Sequence, residues 1–259
     1  MKLRDQVVFL TDADSPSGKA LMRRLADEGA SLLLNSDSGG AGIASELQQL
    51  HARGTRTYIC NIDLCDHADV SRHLDQAEQQ LGGVGVLVHN RKFVAPISVE
   101  AGEERLFDAI LRANAKSAFI CAQAVGARMT TRGTGRIVFV GSIHAEKPTG
   151  STFAYSVAMG AVQMLSREAS LALGRFGINV NYIQIGPLPG DDATFHSDIS
   201  FLYEDYEYKV PNAILGSWDD LAELVVFVAG DGARYLNGAD IRLDGGFLNH
   251  YLDHKTKKP

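Results

Sequence analysis

The sequence predicts an α/β fold: a single doubly wound, parallel seven-stranded sheet with helices on both faces. Three observations carry that prediction. Short β-rich runs alternate with helical patterns along most of the 259 residues, and such alternation implies parallel pairing with right-handed crossovers. The run 84–88 contains no polar residue, the pattern of a strand buried on both faces. No composition break or linker divides the chain, so one domain over 1–250 is expected, a length that α/β folds commonly fill as one unit.

Taken in order, 7–10 reads as the first strand, and 18–28 carries Leu21 and Leu25 at helical spacing. A second strand at 32–34 precedes a helix at 43–53 with Leu47 and Leu50. The third strand, 57–62, leads to a helix over 66–81 that begins on Asp66, a good N-cap. After the fourth strand at 84–88, residues 103–132 read as two helices meeting near Asn114. Strands at 136–140 and 178–185 flank a long helix over 155–176. Segment 186–216 is too long for a mere connector, and its aromatics Phe195, Phe201, Tyr203, Tyr206 and Tyr208 predict a substrate lid. Ser217 and Asp220 frame a capping box ahead of a helix at 221–229, and 240–243 is the seventh strand. Residues 251–259 form a basic tail, expected to fray.

Composition narrows the function classes. The net charge of −6 argues against a nucleic-acid surface. No apolar run approaches the roughly 20 residues that span a bilayer, so no membrane segment is expected. The first residues lack the pattern of a secretory signal. Three cysteines without a C-x-x-C pair suit idle thiols in a reducing cytoplasm and offer no metal site.

Sheets of this class bind ligands beyond the carboxyl ends of their strands. Ser142 and Tyr155, thirteen residues apart across the fifth strand's exit, are spaced to bring a hydroxyl and a phenol together there. Met159 follows Tyr155 on the same helical face. His144 is a candidate base, because an imidazole titrates near neutrality.

With these residues in place, the chain resembles the short-chain dehydrogenase/reductase family over nearly its whole length, which implies a Rossmann-type domain. Asn114 matches the family's helix-kinking asparagine, and Ser142 and Tyr155 match its catalytic serine and tyrosine. Asp63 matches the acid beside the adenine ring, while the run Asn179, Val180, Asn181 and the run Leu243, Asp244, Gly245, Gly246 match the last two strands. The resemblance implies a small carbonyl or alcohol as substrate, with Tyr155 as acid/base and Ser142 orienting the oxygen. It implies NAD(P) as cofactor, held by Thr11, Ser17, Gly18, Asp37, Asp63 and Asn90. Asp37 suits the ribose hydroxyls and opposes a 2′-phosphate, which leans toward NAD. A homodimer or homotetramer through the helices at 115–132 and 155–176 is implied as well.

The departures from the family fall on the cofactor side. Its phosphate loop reads T-G-x-x-x-G-x-G, and only Thr11 and Gly18 keep that pattern here. Pro16 lacks the N–H that a phosphate oxygen seeks at a helix start. Asp12 and Asp14 add charge, each repelling a phosphate by about 2–3 kcal/mol at about 6 Å with an effective dielectric near 20. Arg91 and Lys92 replace small residues after the fourth strand, and Met159 stands where the family has lysine. Without that cation roughly one phenol in a thousand is ionised at pH 7. The expectation is a degenerate active site with weakened NAD(P) binding and weakened hydride chemistry. Two alternatives accompany it. One is a non-redox enzyme on the same fold, such as a dehydratase, an isomerase or a relative of the halohydrin dehalogenases. The other is a catalytically silent subunit.

Overall fold

The apolar runs become strands because their backbone groups pair and both their faces can be buried. In the computed structural model, which describes residues 1–198 and 200–249, β1 (Val7–Leu10) is buried at every position. It is followed by α1 (Pro16–Asp27), β2 (Ser31–Asn35), α2 (Ala44–Ala52) and β3 (Thr57–Cys60). Next come α3 (His67–Leu81), β4 (Val84–His89), α4 (Glu104–Leu111) and α5 (Ser117–Arg132). The chain continues through β5 (Gly135–Ser142), α6 (Phe153–Gly174), β6 (Ile178–Ile185), the short α7 (Asp191–Thr194), α8 (Trp218–Ala229) and β7 (Asp240–Leu243). All seven strands pair in parallel in the order β3-β2-β1-β4-β5-β6-β7.

Alternation along β1 assigns the two layers. Val8 and Leu10 pack with Leu21 and Leu25 of α1 and with Leu221 and Val225 of α8. Val7 and Phe9 pack against Val70 and Leu74 of α3 and Ala118 and Val125 of α5. A third apolar cluster lies beyond the strand ends and gathers Ile110, Ile143, Tyr155, Met159, Phe195, Tyr203, Tyr206 and Phe247. Strand order reverses between β1 and β4, so the switch point where such folds take ligands lies above Leu10 and His89.

Local chemistry sets the element ends. α1 begins two residues earlier than the periodicity suggests, because Ser15 caps it and accepts the Gly18 N–H at 3.0 Å while Pro16 supplies the first turn. Asp66 caps α3 through the N–H groups of Ala68 and Asp69, as predicted. The Ser217 and Asp220 capping box is formed in both directions. Between α4 and α5 the chain runs as one π-helical turn, Arg112–Lys116, with Asn114 at its centre. Its amide nitrogen donates to the carbonyls of Ile110 at 2.8 Å and Phe93 at 2.9 Å, and its amide oxygen accepts the Phe93 N–H at 3.0 Å. Asn114 therefore ties the kink to the loop after β4. Among the described residues no helix is long and apolar enough to cross a membrane. The basic tail at 251–259 lies outside the described residues.

Candidate active site

β5 ends on Ser142, and Tyr155 stands in the first turn of α6. The intervening loop returns the chain so that the Ser142 hydroxyl comes near enough to the Tyr155 phenol to act on its ionisation. Tyr155 is 2 % exposed. Burial pushes its phenol well above the ordinary value, the nearby Tyr182 and Asp191 push the same way, and the Ser142 hydroxyl offsets only part of this. The phenol is neutral and able to donate.

Met159 is 2 % exposed and belongs to the apolar cluster around Tyr155. It brings no charge to the phenol. Its carbonyl instead accepts the hydroxyl of Tyr182 at 3.3 Å, and the same hydroxyl accepts the Ser142 N–H at 3.2 Å. Tyr182 thus braces the strand end that carries the serine against the helix that carries the tyrosine. Gly141 makes room for it: a Cβ there would lie 2.0 Å from the Tyr182 hydroxyl. Sequence reasoning missed Tyr182, and the glycine before the serine was the available signal.

His144 does not behave as the expected base near neutrality. It is 1 % exposed, and neither ring nitrogen has a hydrogen-bond partner. Burial, reinforced by the charge of Lys92, pushes its pKa down to about 4. Its ring meets Phe195 with centroids 3.9 Å apart, Tyr203 at 5.6 Å and Tyr155 at 5.9 Å. Segment 186–216 thus packs Phe195 against Tyr155 and His144, and Tyr203 against His144, whereas Phe201 faces solvent.

In the phosphate loop the polar side chains satisfy one another. Thr11 Oγ1 accepts the Asn90 N–H at 3.0 Å. The Asn90 amide accepts the Asp12 N–H at 2.9 Å and donates to the Asp12 carbonyl at 2.8 Å and to Ser17 Oγ at 3.1 Å. Gly18 is required, since a Cβ would lie 2.0 Å from the Asp12 carbonyl oxygen. Ser17, Thr11 and Asn90 are all buried. Together they hold this turn across the switch point.

The two acids of the loop are also engaged, which corrects the expectation of naked negative charge. Burial would raise the Asp14 carboxyl, but the Ser38 N–H and hydroxyl, the Ser36 hydroxyl and the Asp37 N–H outweigh it and hold the group below its usual value. The Ser38 N–H lies at 3.0 Å. Asp12 is raised by burial, and Arg91 works against that shift from 3.7 Å. The same Arg91 guanidinium pairs with Asp37 at 2.6 Å. With Asp37 neutralised in this way, its charge no longer argues for NAD over NADP. Asp63 pairs with Arg112 at 2.6 Å and accepts the Cys65 N–H at 2.9 Å. Asp37, Ile62, Asp63, Leu64, Arg91 and Arg112 line a cavity of about 240 Å³ beyond β2 and β4.

Lys92 turns inward. Its residue surface is solvent-accessible, yet its ammonium lies in a crowded cleft, 5.3 Å from the Phe195 ring centre and 6.0 Å from that of Trp218. Crowding lowers its pKa, and Asp191 opposes the shift. No ion pair or hydrogen bond engages the ammonium among the described residues.

Comparison with known proteins bears on this arrangement. Residues 14–248 match the family described as enoyl-(acyl carrier protein) reductase. The chain is 32 % identical over 258 residues to the L-rhamnose 1-dehydrogenase (NAD(P)(+)) of Azotobacter vinelandii, covering 96 % of this chain and 99 % of that protein. A short-chain dehydrogenase/reductase from Serratia marcescens superposes with a TM-score of 0.84 at 26 % identity, covering 95 % of this chain and 99 % of the other. A gluconate 5-dehydrogenase from Burkholderia cenocepacia, solved with NADP and tartrate, superposes with a TM-score of 0.85 at 25 % identity, covering 96 % and 97 %. Whole-length sequence similarity, the same sheet and a serine–tyrosine pair at its carboxyl edge agree: this chain belongs to the short-chain dehydrogenase/reductase family of oxidoreductases.

Proposed function

We propose that the protein is an NAD(P)H-dependent reductase of a small carbonyl compound, with modest cofactor affinity, in which Tyr155 donates the proton and Ser142 holds the carbonyl oxygen. The observation that carries this reading is the approach of the buried Ser142 hydroxyl and Tyr155 phenol beyond β5, close enough for the serine to act on the phenol's ionisation. A neutral phenol is competent as a proton donor to a carbonyl oxygen that gains charge. Alcohol oxidation needs the phenolate, which burial disfavours and Met159 does nothing to restore. Donation to the carbonyl oxygen leaves the same buried phenolate, which solvent must reprotonate, so turnover is expected to be slow.

The residues fit a dinucleotide in part. The cavity bounded by Asp37 and Asp63 suits an adenine and its ribose, and Gly18 lets the start of α1 close against the Asp12 carbonyl. Thr11, Ser17, Gly18, Asp37, Asp63 and Asn90 would hold the cofactor. When bound, the reduced nicotinamide supplies hydride. Pro16 withholds an N–H, so binding is weaker than a glycine-rich loop provides. The accompanying expectation is a cytoplasmic homodimer or homotetramer joined through α5 and α6, which expose Phe119, Met164 and Leu171.

Calorimetric titration with NADPH and NADH, followed by reduction assays on a panel of small aldehydes and ketones, tests the reading. Measurable but weak binding and cofactor oxidation with at least one carbonyl are expected. Absence of binding of both dinucleotides at millimolar concentration would overturn it.

A further inference from the structure

We infer that Lys92 and His144 form an oxyanion subsite that takes a carboxylate of the substrate, in the space the Phe195 ring fills in this structure. The inference deepens the proposed function and rests on its placing the substrate beside Tyr155.

Phe195 is the common neighbour of three groups able to recognise a polar ligand. Its ring centre is 5.3 Å from the Lys92 ammonium, 3.9 Å from the His144 ring centre and 5.9 Å from that of Tyr155. The aromatic faces of Phe195 and Trp218 attract the ammonium, and no protein acceptor among the described residues engages its three N–H donors, which are left to solvent or to a ligand. His144 is 1 % exposed with both ring nitrogens unpaired. Burying a polar group without a partner is destabilising, so the His144 imidazole calls for a ligand, and the solvent-accessible Lys92 ammonium beside the same ring offers that ligand a charge partner. A planar body carrying an anionic group satisfies both when it takes the place of Phe195. The carboxylate meets the ammonium, and an imidazole nitrogen donates to or accepts from an adjacent oxygen.

Charge in the cleft supports an anion while setting a limit on it. Asp191 lies close enough to act on Lys92 but forms no ion pair with it among the described residues, and its carboxylate accepts the Leu188 N–H at 2.8 Å. Arg91, one residue before Lys92, is committed to Asp37 and Asp12. Lys92 is therefore the cation left for a substrate. A phosphate of the cofactor presents the same oxyanion chemistry, and the contacts with His144 and Phe195 favour the substrate as its source.

The test compares isosteric or closely matched pairs, one anionic and one neutral: benzoate against benzamide, and tartrate against threitol. Binding is followed by calorimetry and by the fluorescence of Trp218, the one tryptophan in the chain, with and without dinucleotide. In at least one pair the anion is expected to bind tenfold or more tightly than its neutral partner. Lys92→Gln should bring that ratio close to one while leaving the neutral ligand's affinity unchanged. The inference is overturned if neither pair shows a preference for the anion or if Lys92→Gln leaves the ratio intact. It is equally overturned if Lys92→Gln weakens ADP-ribose binding and spares the ratio, which would assign the lysine to a cofactor phosphate. A Lys92-dependent preference without turnover of any carbonyl would leave the subsite standing and remove the proposed reaction instead.

Discussion

The ring of Phe195 meets that of His144 at 3.9 Å between centroids and 76° between planes. A residue of the 186–216 segment thereby seals an imidazole away from water directly beside Tyr155. Replacing Phe195 with alanine should admit solvent to this space. The His144 pKa, held down to about 4, is then expected to move toward the ordinary value for histidine. Titration of its imidazole by NMR in the wild type and in Phe195→Ala measures the shift, and an unchanged pKa would mean that another residue keeps the ring dry.

Stability should depend on acid through the same ring. The folded pKa values of His144, about 4, and His89, about 3, both lie below the ordinary 6.5. Burial is the main cause for each, so the unfolded chain binds more protons in this range. The contribution is fully present above pH 6.5 and is lost as pH falls toward the folded values. It amounts to about 2 kcal/mol per histidine between roughly pH 6.5 and 5. Asp12 and Asp191, raised by burial, act in the opposite sense. The difference between the wild type and His144→Gln in urea unfolding across that interval isolates His144, and the variant should show the flatter profile.

Gly141→Ala is expected to destabilise the protein by about 1–3 kcal/mol, the usual cost of overpacking a core. The new methyl would meet both the hydroxyl and the ring of Tyr182. Because Tyr182 also binds the Ser142 N–H and the Met159 carbonyl, the strain should reach the site and lower turnover. Denaturant midpoints and steady-state rates measured on one preparation check the two effects together.

Much of this was legible in the sequence because it depends on local pattern. An apolar run placed β1, and alternating polar and apolar residues placed β6 and β7, at the bounds the structure gives. Asp66 and Ser217 announced their helices because a cap is a contact within one turn. Ser142 and Tyr155 could be paired because a strand end and the next helix start are brought together by the fold class alone. What sequence did not give was the direction of side chains that meet from distant segments. Asp14 looked like a charge facing the phosphate, yet Ser36 and Ser38 from the turn after β2 draw it aside. Asp12 and Asp37 looked unpaired until Arg91 came between them. The covering of His144 by Phe195 depends on the packing of a long segment that has no periodicity to read.

Arg91→Ala is expected to weaken dinucleotide binding about tenfold or more. It leaves Asp12 and Asp37 without their cation on the side where the phosphates approach, at a repulsion of about 2–3 kcal/mol for a unit charge near 6 Å. The loss should shrink as salt is added. Calorimetry at two ionic strengths measures it. A gain in affinity would show instead that Arg91 blocks the site.

The central claim is that Tyr155, buried and neutral, delivers the proton in a carbonyl reduction. The most direct measurement is the rate of NAD(P)H oxidation with an accepted carbonyl in the wild type and in Tyr155→Phe, alongside dinucleotide affinity for both. The account predicts a fall in kcat on the order of a hundredfold or more, the range for loss of a positioned general acid, with cofactor affinity nearly unchanged. An undiminished kcat in Tyr155→Phe would contradict it.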